Sequence, residues 1–342
     1  MVNVLICSYL EPELIEQIRA TDAQLKVEYH PGLLPKPRYQ ADHVGAPLKR
    51  NLQDQTRWLE LLQDAEILFD FDYTGVKELP ERAPNVRWIQ ASSAGIGQFV
   101  TRQNYARMNA VFTTSSGVHA RPLAEYTIMS MLEVVKQRDL ARQQQLEHRW
   151  QRFSTVELSN KTLAIVGLGK IGLEVAKLAK AFDMRVVASK RHVEGLDASS
   201  LGIDALYPWT DLHAMLAQAD FVCLATPHTA ETENLMDEAA FQALKPGATL
   251  INIARGAVVV EAAMIAALES GRLAHAALDV VATEPLPPDS PLWDMPNVSI
   301  YHHSASTNDR ENQRIVELFC QNLKLYLEQK PLINTLNIQQ MY

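Results

Sequence analysis

The stretch Thr162–Gly172, T-L-A-I-V-G-L-G-K-I-G, decides the fold of this chain. Its first residues are apolar and predict a short β-strand, and Leu173–Ala181 has the composition of a helix. Between them lie glycines at the G-x-G-x-x-G spacing, which suits a tight turn, close approach of a pyrophosphate and close helix packing. The helix N-terminus offers N–H groups and a positive dipole to the phosphates. The stretch therefore predicts a dinucleotide site, with an ordinary tight turn as the alternative. The predicted cofactor-binding residues of this turn are Gly167, Leu168, Gly169, Lys170, Ile171 and Gly172.

The residues after the next strand, predicted at Arg185–Ala188, indicate which dinucleotide binds. NAD sites place an acidic residue near the end of this strand, where it accepts hydrogen bonds from the ribose hydroxyls. This chain has Ser189, Lys190 and Arg191 there, and no acid before Glu194. Two cations and a hydroxyl suit a 2′-phosphate, so we predict that NADPH is preferred and that NADH remains possible. A solvated basic turn is the alternative.

At 342 residues the chain is long enough for two domains, and its hydrophobic fraction of 47% and charged fraction of 21% are ordinary for a globular enzyme. A net charge of −8 with scattered basic residues argues against nucleic-acid binding. Cys7, Cys223 and Cys320 lie far apart in apolar runs, which is typical of buried thiols rather than a disulfide framework or zinc site, and we predict no metal. The apolar run Val4–Ile6 is too short for a signal peptide or membrane span, so we expect a cytoplasmic protein with no membrane partner.

Alternating strand-like and helix-like segments predict two open parallel-sheet α/β domains, Rossmann-like or flavodoxin-like, with an active-site cleft between them. The substrate-binding domain is predicted to be discontinuous, comprising residues 1–118 and 307–342, because a helix predicted at Asp309–Gln329 follows the last strand and can return to it. Residues 119–306 are predicted to form the dinucleotide-binding domain. A long helix is predicted to run from Arg121 to about Gln145.

Three chemically active residues follow separate predicted strands of the second domain: Arg255, Glu284 and His303. They stand at the edge where open α/β sheets bind ligands. A guanidinium can grip a 2-oxo acid bidentately, and an imidazole can supply the proton that turns the carbonyl into a hydroxyl. A carboxylate can orient the imidazole and favour its charged form. Each residue taken singly is more often structural, but their joint occurrence in this order predicts a site for carbonyl reduction.

Three ordered segments resemble signatures of the D-isomer-specific 2-hydroxyacid dehydrogenase family. Pro227–Thr232 is similar to its P-x-T-x-x-T segment, and Asn252–Val259 is similar to its N-x-x-R-G-x-x-V signature. Asp279–Pro287 with Pro291-Leu292-Trp293, followed by a histidine after Asn297-Val298, is the third match. The resemblance covers nearly the whole chain.

The resemblance implies NAD(P)H-dependent reduction of a small 2-oxo acid to the D-2-hydroxy acid, and the reverse, in an NADP-preferring branch like the glyoxylate and hydroxypyruvate reductases. It implies His303 as the proton donor, Glu284 as its partner and Arg255 as the substrate anchor. It also implies a homodimer, formed through the dinucleotide domain and the helix after Pro122. Further residues that it implies are Thr226, Pro227, Thr232, Ile253, Ala254 and Asp279 for the cofactor, and Ser93, Ala94 and Gly95 for the substrate.

The chain departs from the family at Tyr301-His302-His303, where the family has T-P-H. His302 therefore competes with His303 for the role of proton donor. From strand-end position alone, Phe69–Tyr73 is a candidate lining for the pocket of the substrate side chain. The alternative function is a dinucleotide-sensing scaffold, as in the family's transcriptional co-repressor branch, without significant turnover.

Overall fold

A computed structural model describes residues 1–340 and divides the chain into two compact units. The first comprises Met1–His119 and the chain from Thr307 onward, and the second is Ala120–Ser306. Each unit contains one parallel sheet with helices, which confirms the predicted fold class. Within residues 1–340, no helix is both long enough and apolar enough to cross a bilayer.

The strands follow one another along the chain as short, mostly buried segments. They are β1 (Val2–Ile6), β2 (Leu25–Glu28), β3 (Ile67–Phe69), β4 (Trp88–Gln90), β5 (Val111–Thr113), β6 (Thr162–Val166), β7 (Arg185–Lys190), β8 (Ala205–Pro208), β9 (Phe221–Leu224), β10 (Ala248–Asn252), β11 (Leu273–Leu278) and β12 (Val298–Ile300).

The helices connect these strands. They are α1 (Pro12–Arg19), α2 (Leu52–Asp64), α3 (Leu79–Arg82), α4 (Gly97–Arg102), α5 (Ala120–Val135), α6 (Arg138–Leu146), α7 (Lys170–Lys180), α8 (Leu212–Leu216), α9 (Glu238–Ala243), α10 (Glu261–Glu269) and α11 (Glu311–Leu327).

The sheet of the first unit has the strand order β2-β1-β3-β4-β5, which is the flavodoxin-like order. Helix α11 belongs to this unit because its apolar face packs on the sheet. The Phe319 ring lies 5.1 Å from the Phe69 ring and 5.2 Å from the Trp88 ring. Beyond the helix, Leu336 donates its N–H to the carbonyl of Phe112 on β5. The last part of the chain thus completes the core of the first unit.

The sheet of the second unit has the order β12-β11-β10-β9-β6-β7-β8, the doubly wound arrangement in which the strand order reverses between β6 and β9. Ligands of such sheets bind outside the carboxyl ends of the strands at this reversal. A ligand-binding site is therefore expected at the loops after β6 and β9.

Two details differ from the sequence-based expectations. The long helix is broken between α5 and α6, where Gln137 adopts a φ of +52° and donates a side-chain hydrogen bond to the Ser154 carbonyl. No glycine or proline marks that break in the sequence, and the contact with Ser154 comes from a segment 17 residues further along the chain. The assignment of Phe69 and Phe71 to a substrate pocket was wrong, since both side chains are fully buried in the core of the first unit.

Candidate active site

The predicted glycine turn connects β6 to α7 as expected. Gly167 has a φ of +99°, and a Cβ there would lie 2.8 Å from Thr226 Cγ2. A Cβ on Gly172 would lie 2.6 Å from the Gly167 carbonyl oxygen. At Gly169, the N-cap of α7, no atom of the described residues lies within 4 Å of the position that a Cβ would take. The turn therefore leaves open space where the N–H groups of the helix begin, which fits a pyrophosphate.

The loop after β9 lies against this turn. The buried Thr226 Oγ1 has no hydrogen-bond partner among residues 1–340, although buried hydroxyls normally have one. A bound ligand with polar atoms would fit this position. Thr232 Oγ1 donates to the Pro227 carbonyl at 2.7 Å and accepts from the Thr229 N–H at 2.8 Å. The Thr232 hydroxyl therefore stabilises the conformation of this loop through hydrogen bonds to its backbone.

The end of β7 borders the same turn. The Ser189 carbonyl accepts hydrogen bonds from the N–H groups of Gly167 and Leu168, at 3.2 Å and 3.1 Å. Lys190 is the last residue of the strand, and the Arg191 guanidinium forms an ion pair with Glu231 of the loop after β9. An acidic side chain thus reaches the basic segment from 40 residues further along the chain. The residues directly after β7 do not reveal Glu231, because it lies in a different loop.

A tight turn after β10 positions Arg255. Asn252, which is 1% exposed, accepts the Ala254 N–H on its Oδ1 and donates from its Nδ2 to the Arg255 carbonyl. Gly256 follows, and a Cβ there would lie 1.9 Å from the Val281 carbonyl oxygen. Glycine is required because the turn and the loop after β11 touch through their backbones. Ile253 and Ala254 are buried in this turn.

The loop after β11 carries Glu284, which contacts His303. Glu284 Oε2 lies 2.7 Å from His303 Nδ1, and Oε1 accepts the Val281 N–H at 3.2 Å. Burial alone would raise the pKa of Glu284, but hydrogen bonding and charge from His303 outweigh it and lower the pKa overall. An ionised carboxylate only accepts hydrogen bonds, so the proton lies on Nδ1 of His303. This arrangement leaves Nε2 as the nitrogen available to a ligand.

Asp279 holds the turn that presents His303. Its carbonyl accepts the His303 N–H at 2.7 Å, and its Oδ1 accepts the Ala305 N–H at 2.9 Å. Burial raises the pKa of Asp279 above its ordinary value. His302 and His303 have φ values of +52° and +54°, in the left-handed backbone region that residues other than glycine adopt uncommonly.

The two histidines have different surroundings. The His302 ring lies 6.0 Å from the Trp293 ring, whereas His303 pairs with Glu284. Arg255 is half-buried, and burial lowers its pKa while the charges of Glu284 and Asp279 partly offset that effect. The structure therefore brings Arg255, Glu284 and His303 into one electrostatic cluster in the second unit, and it leaves His302 outside it.

The remaining predicted residues, Ser93, Ala94 and Gly95, lie in the first unit after β4, with Ser93 and Gly95 exposed. Beside this loop, Ser92 Oγ donates to the fully buried Asp70 at 2.6 Å. Burial raises the pKa of Asp70, although His43 and several hydrogen bonds oppose the shift. Sequence reasoning missed Asp70, and two acids directly after a buried strand, at Asp70 and Asp72, were the available signal.

Comparisons with known proteins show which family this chain resembles. Residues 128–305 match the family model described as D-isomer specific 2-hydroxyacid dehydrogenase, NAD binding domain. A glyoxylate reductase of Thermofilum pendens is 33% identical over 288 residues, which cover 81% of this chain and 79% of that protein. A D-3-phosphoglycerate dehydrogenase of Archaeoglobus fulgidus is 30% identical over 76% of this chain, but the match spans only 49% of its length.

A solved structure shows the same relationship over the whole fold. A D-isomer specific 2-hydroxyacid dehydrogenase family protein from Aeromonas salmonicida superposes with a TM-score of 0.81 at 28% identity, covering 98% of this chain and 99% of that one. The family model alone matches more than half of the chain. This chain belongs to the D-isomer specific 2-hydroxyacid dehydrogenase family.

Proposed function

We propose that this chain reduces a small 2-oxo acid to the D-2-hydroxy acid with NAD(P)H and catalyses the reverse reaction. The observation that carries the proposal is the 2.7 Å contact between Glu284 and His303. The charge of Glu284 also acts on Arg255, where burial lowers the pKa and this charge partly offsets that effect. All three side chains follow strands of the unit that holds the glycine turn.

The proposed roles follow from the chemistry of the three side chains. Arg255 binds the substrate carboxylate and polarises the carbonyl oxygen through its planar donors. A bound nicotinamide dinucleotide supplies the hydride. His303 gives the proton on Nε2 to the developing alkoxide, while its Nδ1–H keeps donating a hydrogen bond to Glu284. The ionised Glu284 fixes the ring orientation and stabilises the charged imidazole.

The residues around the glycine turn support dinucleotide binding. Gly167, Leu168, Gly169, Lys170, Ile171 and Gly172 are proposed to hold the pyrophosphate. Thr226 lies beside them, and its buried hydroxyl has no hydrogen-bond partner in the part of the chain that the structure describes. We propose a preference for NADPH, which rests on the two cations Lys190 and Arg191 after Ser189. Comparing kcat/KM for NADPH and NADH tests this preference, and a higher value with NADH contradicts it.

Steady-state turnover tests the reaction itself. Glyoxylate, hydroxypyruvate and pyruvate are assayed with each cofactor, and measurable turnover of one of them is expected. Arg255→Ala is expected to abolish most of this activity, because a charged hydrogen bond to substrate is lost. Arg272→Ala is the matched control, since Arg272 precedes β11 at the opposite edge of the sheet. Absence of turnover with every 2-oxo acid, together with tight dinucleotide binding, would favour the scaffold alternative.

We also propose a homodimer. The end of α6 and the segment after it expose large apolar side chains, since Leu146 is 68% exposed and Trp150 is 98% exposed. Isolated proteins rarely present such side chains close together without a partner surface. Sedimentation velocity is expected to show a dimer that Trp150→Ala weakens and the control Trp209→Ala does not. A wild-type monomer at micromolar concentration contradicts the proposal.

A further inference from the structure

The ion pair between Arg191 and Glu231 joins two loops at the glycine turn. Arg191 follows β7, two residues beyond the Ser189 carbonyl that accepts the Gly167 N–H. Glu231 lies in the loop after β9, five residues beyond Thr226, whose methyl group would lie 2.8 Å from a Cβ placed on Gly167. Both side chains are partly exposed, at 34% for Arg191 and 52% for Glu231.

We propose that Glu231 determines how strongly the site discriminates between NADPH and NADH, because it competes for the guanidinium of Arg191. This inference rests on the proposed NAD(P)H-dependent function. The end of the second strand of a doubly wound dinucleotide unit faces the adenosine ribose of the cofactor. A 2′-phosphate there would meet a cation that already pairs with a carboxylate.

The charges set the direction of the effect. A phosphate monoester carries about −1.5 to −2 charges at neutral pH and binds best to an arginine that offers both donors. The Glu231 carboxylate occupies part of the Arg191 guanidinium and repels a phosphate placed beside it. A ribose 2′-hydroxyl carries no charge and can instead donate a hydrogen bond to a carboxylate. Glu231 therefore weakens binding of NADPH relative to NADH.

The same loop offers a matched control. Glu233 lies two residues after Glu231, is 58% exposed and has its carboxylate 3.9 Å from His228. Replacing Glu233 by glutamine removes the same charge from the same loop but leaves the pair of Arg191 and Glu231 intact. Any difference between Glu231→Gln and Glu233→Gln therefore measures the pairing rather than the net charge.

Direct binding of two nucleotides, without turnover, tests the proposal. Isothermal titration calorimetry measures Kd for adenosine 2′,5′-bisphosphate and adenosine 5′-monophosphate on the full chain. Glu231→Gln is expected to tighten adenosine 2′,5′-bisphosphate by about threefold, as for loss of an exposed competing ion pair. Binding of the monophosphate is expected to stay unchanged or weaken, and Glu233→Gln is expected to leave both affinities within about twofold of wild type.

Arg191→Gln separates failure of this inference from failure of the NADPH preference. If Arg191→Gln weakens adenosine 2′,5′-bisphosphate while Glu231→Gln matches Glu233→Gln, the role of Glu231 is wrong and the NADPH preference stands. If Arg191→Gln leaves the bisphosphate affinity unchanged, Arg191 does not bind a 2′-phosphate, and both the role of Glu231 and the contribution of Arg191 to the NADPH preference are wrong. In the double variant Glu231→Gln/Arg191→Gln, the tightening must disappear, because the effect acts through Arg191. Persistence of the tightening overturns the proposal.

Discussion

The two units each place an acidic side chain beyond an interior strand of a parallel sheet, yet the pKa values of the two acids shift in opposite directions. Asp70 follows β3 in the first unit and is fully buried, and burial raises its pKa. Glu284 lies beyond β11 in the second unit with 37% of its side chain exposed, and His303 lowers its pKa against the effect of burial.

The partners of the two carboxylates account for this difference. Asp70 accepts hydrogen bonds from neutral groups, namely the Ser92 hydroxyl, the Phe71 N–H and the Tyr73 hydroxyl. These bonds order the start of the loop that contains Ser93. Glu284 instead accepts from an imidazole that can be charged. The group bonded to Glu284 can therefore exchange a proton, whereas the three hydrogen-bond donors to Asp70 are neutral and His43 acts on it through charge alone.

The largest expected effect concerns the imidazole that distinguishes the second unit. His303→Asn is expected to lower kcat by about 10²–10⁴-fold, because a positioned general acid contributes about that much. His302→Asn, next to it in the same strained turn, is expected to keep kcat within about tenfold of wild type, since its ring lies against Trp293. Steady-state assays with glyoxylate measure both variants. A larger loss with His302→Asn would assign the proton transfer to His302.

The second effect concerns the carboxylate partner. Glu284→Gln is expected to lower kcat by about 10- to 100-fold, because a hydrogen bond to a charged group is worth about 1.5–3 kcal/mol. The control is Glu261→Gln, which removes an acid that accepts the Ala282 N–H in the same region but does not contact His303. Equal activity of the two variants would show that the Glu284 charge does not act through the imidazole.

The third effect concerns the backbone contact that positions Arg255. Gly256→Ala places a Cβ against the Val281 carbonyl, so the two loops must separate. Such overpacking is expected to lower the free energy of unfolding by about 1–3 kcal/mol, and kcat/KM is expected to fall because Arg255 is displaced. Gly32→Ala in the first unit, where nothing lies within 4 Å of the added Cβ, serves as the control. Urea denaturation and steady-state kinetics measure both variants. If Gly256→Ala changes neither the free energy of unfolding nor kcat/KM, the close backbone contact is wrong.

The smallest effect is a pH dependence of stability with opposite signs in the two units. Because the folded-state pKa of Asp70 is raised, the wild type is expected to lose stability relative to Asp70→Asn as pH rises from about 3.9. The slope between the unfolded and folded pKa values approaches about 1.4 kcal/mol per pH unit. The exposed Asp64→Asn serves as the control, and urea denaturation from pH 4 to pH 8 provides the measurement.

Glu284 is expected to show the reverse sign in the same experiment. Its folded-state pKa is lowered, so the advantage of wild type over Glu284→Gln is present above about pH 4.3 and declines as pH falls. If the difference in unfolding free energy between wild type and variant changes with pH in the same direction for Asp70→Asn and Glu284→Gln, the two carboxylates do not have opposite pKa shifts.

Much of the second unit could be predicted because its chemistry is local in sequence. The glycine turn is recognisable from Gly167 to Gly172, since backbone conformation and helix start depend on neighbouring residues. Arg255, Glu284 and His303 each follow a strand, and parallel strands bring their carboxyl ends to one edge. The same reasoning failed for Phe69, which ends β3, and for Phe71, which follows it. Their places in the sequence do not reveal that Phe319 packs on Phe69 and that Phe99 packs on Phe71.

The sequence by itself thus determined two doubly wound units, the family, and the order of the candidate site residues. The tertiary structure decided which histidine meets Glu284, why Gly256 must be glycine, and that Glu231 reaches Arg191. Periodicity and turn chemistry act over a few residues, and the pattern of the chain records them directly. Ion pairs and hydrogen bonds depend on distances of a few ångströms between loops that are far apart in sequence, so they exist only once the sheet has formed.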